Sequence, residues 1–129
     1  LLRWGDPIFA DAPEFDPLKQ SAAAQAKQFG YNNDYVGYIP IEGSAEHGLL
    51  VVNHEYTNPH LMFPGLVTLA EGKVQMKQDQ VDIEMAAHGG AIVEIRKEGG
   101  KWQVVKDGKL NRRITVNTEM ELTGPAAGH

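Results

Sequence analysis

Apolar and polar residues alternate most regularly in the second half of the chain, on either side of the segment EGGK (98–101). Residues 91–97 and 102–106 each alternate with a period of two, which is typical of strands with one buried face. The two glycines between them admit the positive φ of a tight turn. These residues therefore predict a β-hairpin. Three other short segments, rich in β-branched or aromatic residues, are also predicted as strands: residues 35–41, 48–55 and 111–116.

The first predicted helix covers residues 18–29, which are rich in Ala, Gln and Lys. Asp16 precedes it as a candidate N-cap, Pro17 stands at the first helical position, and Gly30 supplies a C-terminal stop. Most of its apolar residues are alanines, so only a narrow stripe could be buried. We expect this helix to lie on the surface of a larger body.

A second, shorter helix is predicted over residues 81–87. Val81, Met85 and His88 share one face of it, and Gly89 and Gly90 follow as a stop. Residues 59–80 are broken by turns and rich in Lys and Gln, which indicates a loop or an insertion.

The chain is thus predicted as a single fragment, residues 1–129, that is mostly β with one or two helices. Residues 1–30 form an arm and a helix, and residues 31–129 form strands with loop insertions. Short strands separated by turns at about ten-residue spacing suit part of a propeller or a sandwich. Neither terminus resembles a natural chain end, so we expect a piece of a longer protein.

Composition removes several classes of function. The 129 residues carry a net charge of −5 with scattered basic residues, so nucleic acid is an improbable partner. No cysteine is present, which excludes disulfides and thiolate metal ligands within this sequence. No apolar run approaches the roughly 20 residues that cross a bilayer, and no signal-peptide pattern occurs, so we expect that any export signal has been removed or lies outside the sequence.

The richest chemistry lies at the end of the strand over residues 48–55. Asn53, His54 and Glu55 combine an amide, an imidazole and a carboxylate, the donors that calcium, iron or zinc use. They are candidate metal ligands, with Glu55 first. The alternative is structural: successive strand residues point to opposite faces, so Asn53 would form turn hydrogen bonds and one of the other two would be solvated.

Two further segments are candidates for phosphate binding. His88 precedes two glycines that would let an anion approach the main chain, although the same residues could simply end a helix. Arginine binds phosphate through paired hydrogen bonds, but neighbours on a strand point apart, so at most one of Arg112 and Arg113 could do so. Arg112 is the candidate, with a solvated or ion-paired role as its alternative.

Glu119 and Glu121 would share a face if residues 116–122 are extended. This arrangement suits a cation site or, as we favour, a polar exposed edge.

Five phrases that span nearly the whole chain resemble, in order, the N-terminal part of the PhoX-type alkaline phosphatases. They are LRWGDP (2–7), FGYNNDY (29–35), LVVNHEYTN (50–58), MAAHGG (85–90) and LTGPAAGH (122–129). The resemblance implies a secreted or periplasmic protein, exported by the twin-arginine route, with a six-bladed β-propeller fold. It also implies hydrolysis of phosphate monoesters with a cluster of calcium and iron.

The resemblance further implies that most of the metal shell lies outside this chain. In the family, the segment after the last phrase supplies a cysteine ligand to iron, and later segments supply carboxylates and an arginine. We therefore expect the fragment to be inactive in isolation, with calcium and iron in the parent protein and none required in the fragment itself. Glu55 is expected to lie closest to the cluster, ahead of Asn53 and His54, with His88 and Arg112 nearer the substrate.

Two functions remain open at this point. The first is a fragment of a phosphate-monoester hydrolase; the second is a non-catalytic ligand-binding or structural β-propeller module. A cysteine and acidic residues beyond His129 would favour the enzyme. In either case a partial propeller exposes unpaired strand edges, so the fragment is predicted to self-associate.

Overall fold

A computed structural model of the chain describes residues 1–128; His129, the last residue of the LTGPAAGH phrase, lies outside the described residues. Its centre is a five-stranded antiparallel sheet in the order β1-β2-β5-β6, with β7 also paired to β5. The strands of this sheet are β1 (Val36–Pro40), β2 (His47–His54), β5 (Gly89–Glu98), β6 (Lys101–Val104) and β7 (Arg112–Ile114). The prediction of a mostly β fragment with few helices is confirmed.

Between β2 and β5 the chain forms shorter elements. They are α2 (Pro59–Met62), a two-stranded sheet of β3 (Val67–Thr68) and β4 (Val74–Gln75), and α3 (Gln78–Ala87). The helix α1 (Ala22–Gln25) precedes β1, and 3-10 turns occupy Ala70–Gly72 and Gly124–Ala126. The sequence analysis predicted a loop or an insertion over residues 59–80; in the structure these residues contain short helices and strands and the first turn of α3. No helix within residues 1–128 is both long and apolar enough to cross a membrane.

The main core lies on one face of the sheet, where β2 and β5 pair. Val52 stands opposite Ala91 in the register, and both are buried. Ile8, from the N-terminal arm, and Phe29, from the segment after α1, pack over this face against Val93 of β5. The alternating burial of β2 and β5 therefore exists because one face of these two strands is covered.

Asn111 ties the arm to the sheet. Its buried amide nitrogen donates to the carbonyl oxygens of Ile8 (2.9 Å) and Val105 (2.8 Å), and its amide oxygen accepts from the Glu94 N–H (2.7 Å). A buried amide with every group paired can hold a loop and a strand in one arrangement.

The predicted helix over residues 18–29 is wrong in its extent, since only Ala22–Gln25 are helical. The Asp16 carboxylate accepts from the Leu18 N–H and forms a turn, and the helix begins instead after Ser21, whose hydroxyl accepts from the Ala24 N–H. After Gln25 the backbone pairs with the arm: the Ile8 N–H donates to Lys27, and the Phe29 N–H donates to Asp6. These contacts with the arm replace the helical hydrogen bonds that the composition favours.

The second helix, α3, is confirmed, but it begins three residues earlier than predicted and buries a different face. Its buried residues are Ile83, Ala86 and Ala87, whereas Met85 is 37% exposed. Ile83 and Ala87 form a second core with Met62 and Phe63 from α2 and the turn after it. The sequence analysis grouped Val81, Met85 and His88 on one face and did not include the residues of α2 as packing partners.

The hairpin of β5 and β6 is confirmed, with Gly99 and Gly100 at φ +56 and +80 in its turn. The strand over residues 111–116 is shorter than predicted, since only Arg112–Ile114 pair with β5. No strand forms over residues 116–122, so Glu119 and Glu121 are exposed on irregular backbone and the predicted shared strand face is wrong.

Candidate functional site

The end of β2 holds the loop of residues 30–35, which we call the 30–35 loop. Three consecutive residues of the NHE phrase each bind a different part of it. The Asn53 side-chain oxygen accepts from the N–H groups of Asp34 (3.0 Å) and Tyr35 (2.8 Å). The Glu55 N–H donates to the Asn32 carbonyl (2.9 Å). Hydrogen bonds from the end of β2 therefore hold the 30–35 loop at several points along its length.

His54 is the buried member of the three, with 2% of its surface exposed. Its Nε2 accepts from the Gly30 N–H (3.2 Å), so Nδ1 carries the proton and donates to the Asn33 side-chain oxygen (2.7 Å). The ring packs edge-on against Phe29 at 4.8 Å between centroids. Burial, followed by the positive charge of Arg113, lowers the pKa of His54 from 6.5 to about 3. The imidazole is neutral, and both of its nitrogens are engaged within the chain.

Glu55 lies beside Asp34, and both side chains are exposed. A hydrogen bond with Asp34, and then the negative charge of that residue, raise the pKa of Glu55 above its ordinary value. A neighbouring negative charge disfavours ionisation of a carboxyl group. Asp34 and Glu55 also offer oxygen donors to a hard cation. Asp34 was not among the sequence candidates, although it lies in the FGYNNDY phrase.

The sheet register brings the HGG phrase to the same end of the sheet. His54 stands opposite Gly89, and Asn53 opposite Gly90. These glycines are the first residues of β5, and Gly89 has φ +107 with the Ile114 carbonyl directly against its Cα. His88 caps α3: its Nδ1 donates to the Glu84 carbonyl oxygen (2.7 Å), as does its backbone N–H. The C-terminal end of α3 and the start of β5 therefore lie next to the end of β2.

Of the two adjacent arginines, Arg112 is exposed on the outer face of β7, whereas Arg113 points to the covered face. The Arg113 guanidinium donates to five carbonyl oxygens, at distances from 2.6 to 3.1 Å, and remains charged although burial lowers its pKa to about 10. The carbonyls belong to Gln28, Ala86, His88, Gly90 and Ile114. Two of these, Ala86 and His88, lie in the last turn and at the C-cap of α3, whose negative dipole end favours a cation. Arg113 thus joins α3, the main sheet and the segment after α1.

Within residues 1–128, no group of three or more His, Cys, Asp or Glu side chains is arranged to hold a metal ion. The Asp34 and Glu55 pair is therefore at most part of a coordination shell. The arrangement presents one exposed carboxyl on the anchored 30–35 loop and one at the end of β2, next to a buried and neutral histidine.

The chain is similar to proteins of known family and structure. The family model described as alkaline phosphatase PhoX matches residues 1–129. Among solved structures, Pseudomonas fluorescens PhoX in complex with vanadate, a transition state analogue, is 35% identical with a TM-score of 0.84. The match covers 100% of this chain and 21% of that chain, so the sequence spans about a fifth of that protein's length. A search of curated protein sequences finds no match.

Proposed function

Because this chain belongs to the PhoX alkaline phosphatase family, we propose that it is the N-terminal part of a phosphate-monoester hydrolase and contributes to its metal-bearing site. The observation that carries the proposal is the family match over residues 1–129; within the chain, the candidate position is the exposed Asp34 and Glu55 at the end of β2. Side-by-side exposed carboxyls repel each other when both are charged, and a bound cation would remove that repulsion.

The donors at this position fit calcium better than iron. Carboxylate and amide oxygens are the ligands of calcium, and both are present in Asp34, Glu55 and the neighbouring Asn32 and Asn33. Imidazole and thiolate, which suit iron, are not offered: both nitrogens of His54 are engaged, and the sequence has no cysteine. We propose that this chain supplies calcium ligands and that iron ligands come from the rest of the parent protein.

Each residue has a distinct part in this proposal. Asp34 and Glu55 would hold the cation, and Asn53 keeps the backbone of residues 34 and 35 against β2. A bound calcium supplies positive charge that binds phosphate oxygens and stabilises the charge developing in phosphoryl transfer. His88 and Arg112 remain our candidates for contact with substrate, and Arg113 acts as a structural group because all its bonds go to carbonyls.

For the whole protein we propose a six-bladed β-propeller, with residues 1–129 as one fragment of it, that is secreted or periplasmic and acts on phosphate monoesters. The fragment alone is proposed to be inactive, because two carboxylates do not complete a metal shell. Its strand edges would be covered by the rest of the propeller, so the isolated fragment is expected to self-associate.

The test compares this chain with a PhoX-length protein that carries it, using a chromogenic phosphate monoester with added calcium and elemental analysis of both. We expect activity, calcium and iron in the long protein only. In the long protein, Glu55→Gln should lower kcat/KM by about 10-fold to 100-fold and reduce bound calcium. Glu98→Gln, which changes an exposed carboxylate in the β5–β6 hairpin, is the matched control.

Three outcomes would count against the proposal. Activity in the isolated chain would show that the missing ligands are not needed. An unchanged Glu55→Gln variant would remove the carboxylate pair from the site. A long protein without activity or metal would favour the non-catalytic binding module instead.

A further inference from the structure

The strand β1 lies at an edge of the main sheet and carries exposed apolar side chains. Within residues 1–128 it pairs with β2 alone. The large apolar residues in and just before it are Tyr35, Val36, Tyr38 and Ile39, with exposed fractions of 63%, 62%, 41% and 53%. An open edge with exposed apolar side chains can add a further strand.

The opposite edge of the sheet is less suited to pairing. It is formed by β6 and β7, which are only four and three residues long. Lys101 and Arg112, one in each strand, are both exposed. Short strands and exposed charges discourage pairing at an edge. The strand β1 has five residues and no charged one, so its edge is the open one.

The hydrogen bonds to β2 decide which backbone groups of β1 point to the open edge. Alternate residues of an antiparallel strand bond to the same neighbour. The Ile41 N–H donates to the His47 carbonyl oxygen (3.0 Å), so the odd-numbered residues of β1 face β2. The N–H and C=O groups of Val36 and Tyr38 therefore point outward. Pro40, which has no N–H, lies at the next outward position, where proline is tolerated in a sheet.

We propose that two copies of this chain pair through their β1 strands, antiparallel, about a two-fold axis at Gly37. In this register Val36 lies opposite Tyr38 of the second copy. The outward N–H groups of both residues then meet outward carbonyl groups, and the two sheets become one. The inference goes beyond the proposed phosphatase reaction and does not depend on it. It gives the expected self-association a site, a symmetry and a register.

The side chains of β1 are complementary to themselves in this register. Val36 and Tyr38 lie on the same face of the sheet and become cross-strand neighbours. Tyr35 and Ile39 do the same on the other face, and such apolar pairs stabilise a sheet. Gly37, at the axis, has no side chain, and the ring of Tyr35 lies over it. All four exposed apolar residues therefore gain a partner.

A shift of the axis by one residue loses this complementarity. With the axis at Tyr38, Asp34 would lie opposite Glu42 of the second copy, and like charges in that position are destabilising. Val36 would lie opposite Pro40, which has no N–H to donate. The register with Gly37 at the axis avoids both costs.

Single cysteines test the register directly, because the sequence contains none. Gly37→Cys should form a disulfide with itself under mild oxidation by oxidised glutathione, since Cα atoms directly opposite lie about 4.5 Å apart. Val36→Cys and Tyr38→Cys should each stay uncrosslinked alone and should crosslink when mixed. Gln103→Cys, exposed on β6 at the opposite edge, is the matched control and should not crosslink.

Sedimentation equilibrium of the unmodified chain measures the dimer itself. Val36→Lys should raise the dissociation constant by about tenfold or more, because the change acts twice in a symmetric dimer. Glu98→Lys, at an exposed residue of the β5–β6 hairpin, should leave it unchanged. Tryptophan fluorescence reports that each variant is folded.

The outcomes bear on this interface and leave the proposed function untouched. A chain that stays monomeric at all concentrations refutes the interface. A dimer in which folded Gly37→Cys does not crosslink, or in which Tyr38→Cys crosslinks alone, refutes the register. Crosslinking of Gln103→Cys instead would move the contact to the opposite edge and also refute the proposal.

Discussion

Replacing Arg113 with lysine should destabilise the chain strongly, whereas the same change at its neighbour Arg112 should not. The Arg113 guanidinium donates to five carbonyl oxygens from a partly buried position. Lysine keeps the charge but has three donors on one nitrogen, so it cannot reproduce the planar fork. At least two charged hydrogen bonds are lost, each contributing about 1.5 kcal/mol or more, which places the cost near 3 kcal/mol.

Urea unfolding followed by the fluorescence of Trp4 and Trp102 measures this cost. Arg112→Lys is the matched control, since Arg112 is exposed with one long bond of 3.5 Å to its own neighbour's carbonyl, and surface changes of this kind stay within about 0.5 kcal/mol. Arg113→Met, which removes charge and donors together, should cost at least as much as Arg113→Lys. Equal and small effects at both arginines would refute the assignment of Arg113 as a structural group.

Three other predictions follow from the same structure. His54 binds a proton near pH 6.5 in the unfolded chain but only near pH 3 in the folded chain, so its contribution to the free energy of unfolding should be complete above pH 6.5 and fall by about 1.4 kcal/mol per pH unit below it. Urea unfolding at several pH values should show a weaker pH dependence of the free energy of unfolding for His54→Gln than for wild type. The same pH dependence in both proteins would contradict this. Asp34→Asn should lower the raised pKa of Glu55 toward its ordinary value in an NMR titration, and an unchanged value would mean that Asp34 is not its cause. Val36 and Ile39 are more than half exposed on β1, which within residues 1–128 pairs with β2 alone and so leaves one strand edge open. Light scattering should therefore show self-association of the chain, and Ile39→Lys should reduce it. A monodisperse monomer at high concentration would contradict this prediction.

Local patterns predicted the hairpin of β5 and β6 well, because both its alternation and its Gly99-Gly100 turn are properties of neighbouring residues. The predicted helix over residues 18–29 was too long because its structure depends on residues distant in the sequence. Hydrogen bonds to the arm, around Asp6 and Ile8 and about twenty residues away, replace the helical bonds after Gln25. The face of α3 was misjudged likewise, since it packs on an insertion whose elements are too short to show a period.

The sequence singled out Asn53, His54 and Glu55 as candidates, but it did not identify the residues that contact them. Asp34 is brought beside Glu55 by the antiparallel pairing of β1 with β2, and a register of that kind cannot be read from one sequence. Which of Arg112 and Arg113 faces the core also depends on register: Arg113 is paired with Ala91, a core residue. Alternation along a strand predicts that Arg112 and Arg113 face opposite sides of the sheet, and the register of β7 with β5 decides which of them faces the covered side.

The NHE phrase combines three roles that would be indistinguishable in a list of polar residues. Asn53 satisfies two backbone N–H groups, His54 is sealed into the core, and only Glu55 presents a charged group to solvent. Successive strand residues alternate between faces, so one short segment can hold a loop with its buried side chain and expose a carboxyl to solvent. The exposed carboxyl groups of Glu55 and Asp34 repel each other when both are charged. Under the proposed function, a cation whose remaining ligands come from the rest of a PhoX protein would offset this repulsion. Glu55 and Asp34 are therefore the residues to test first for cation binding.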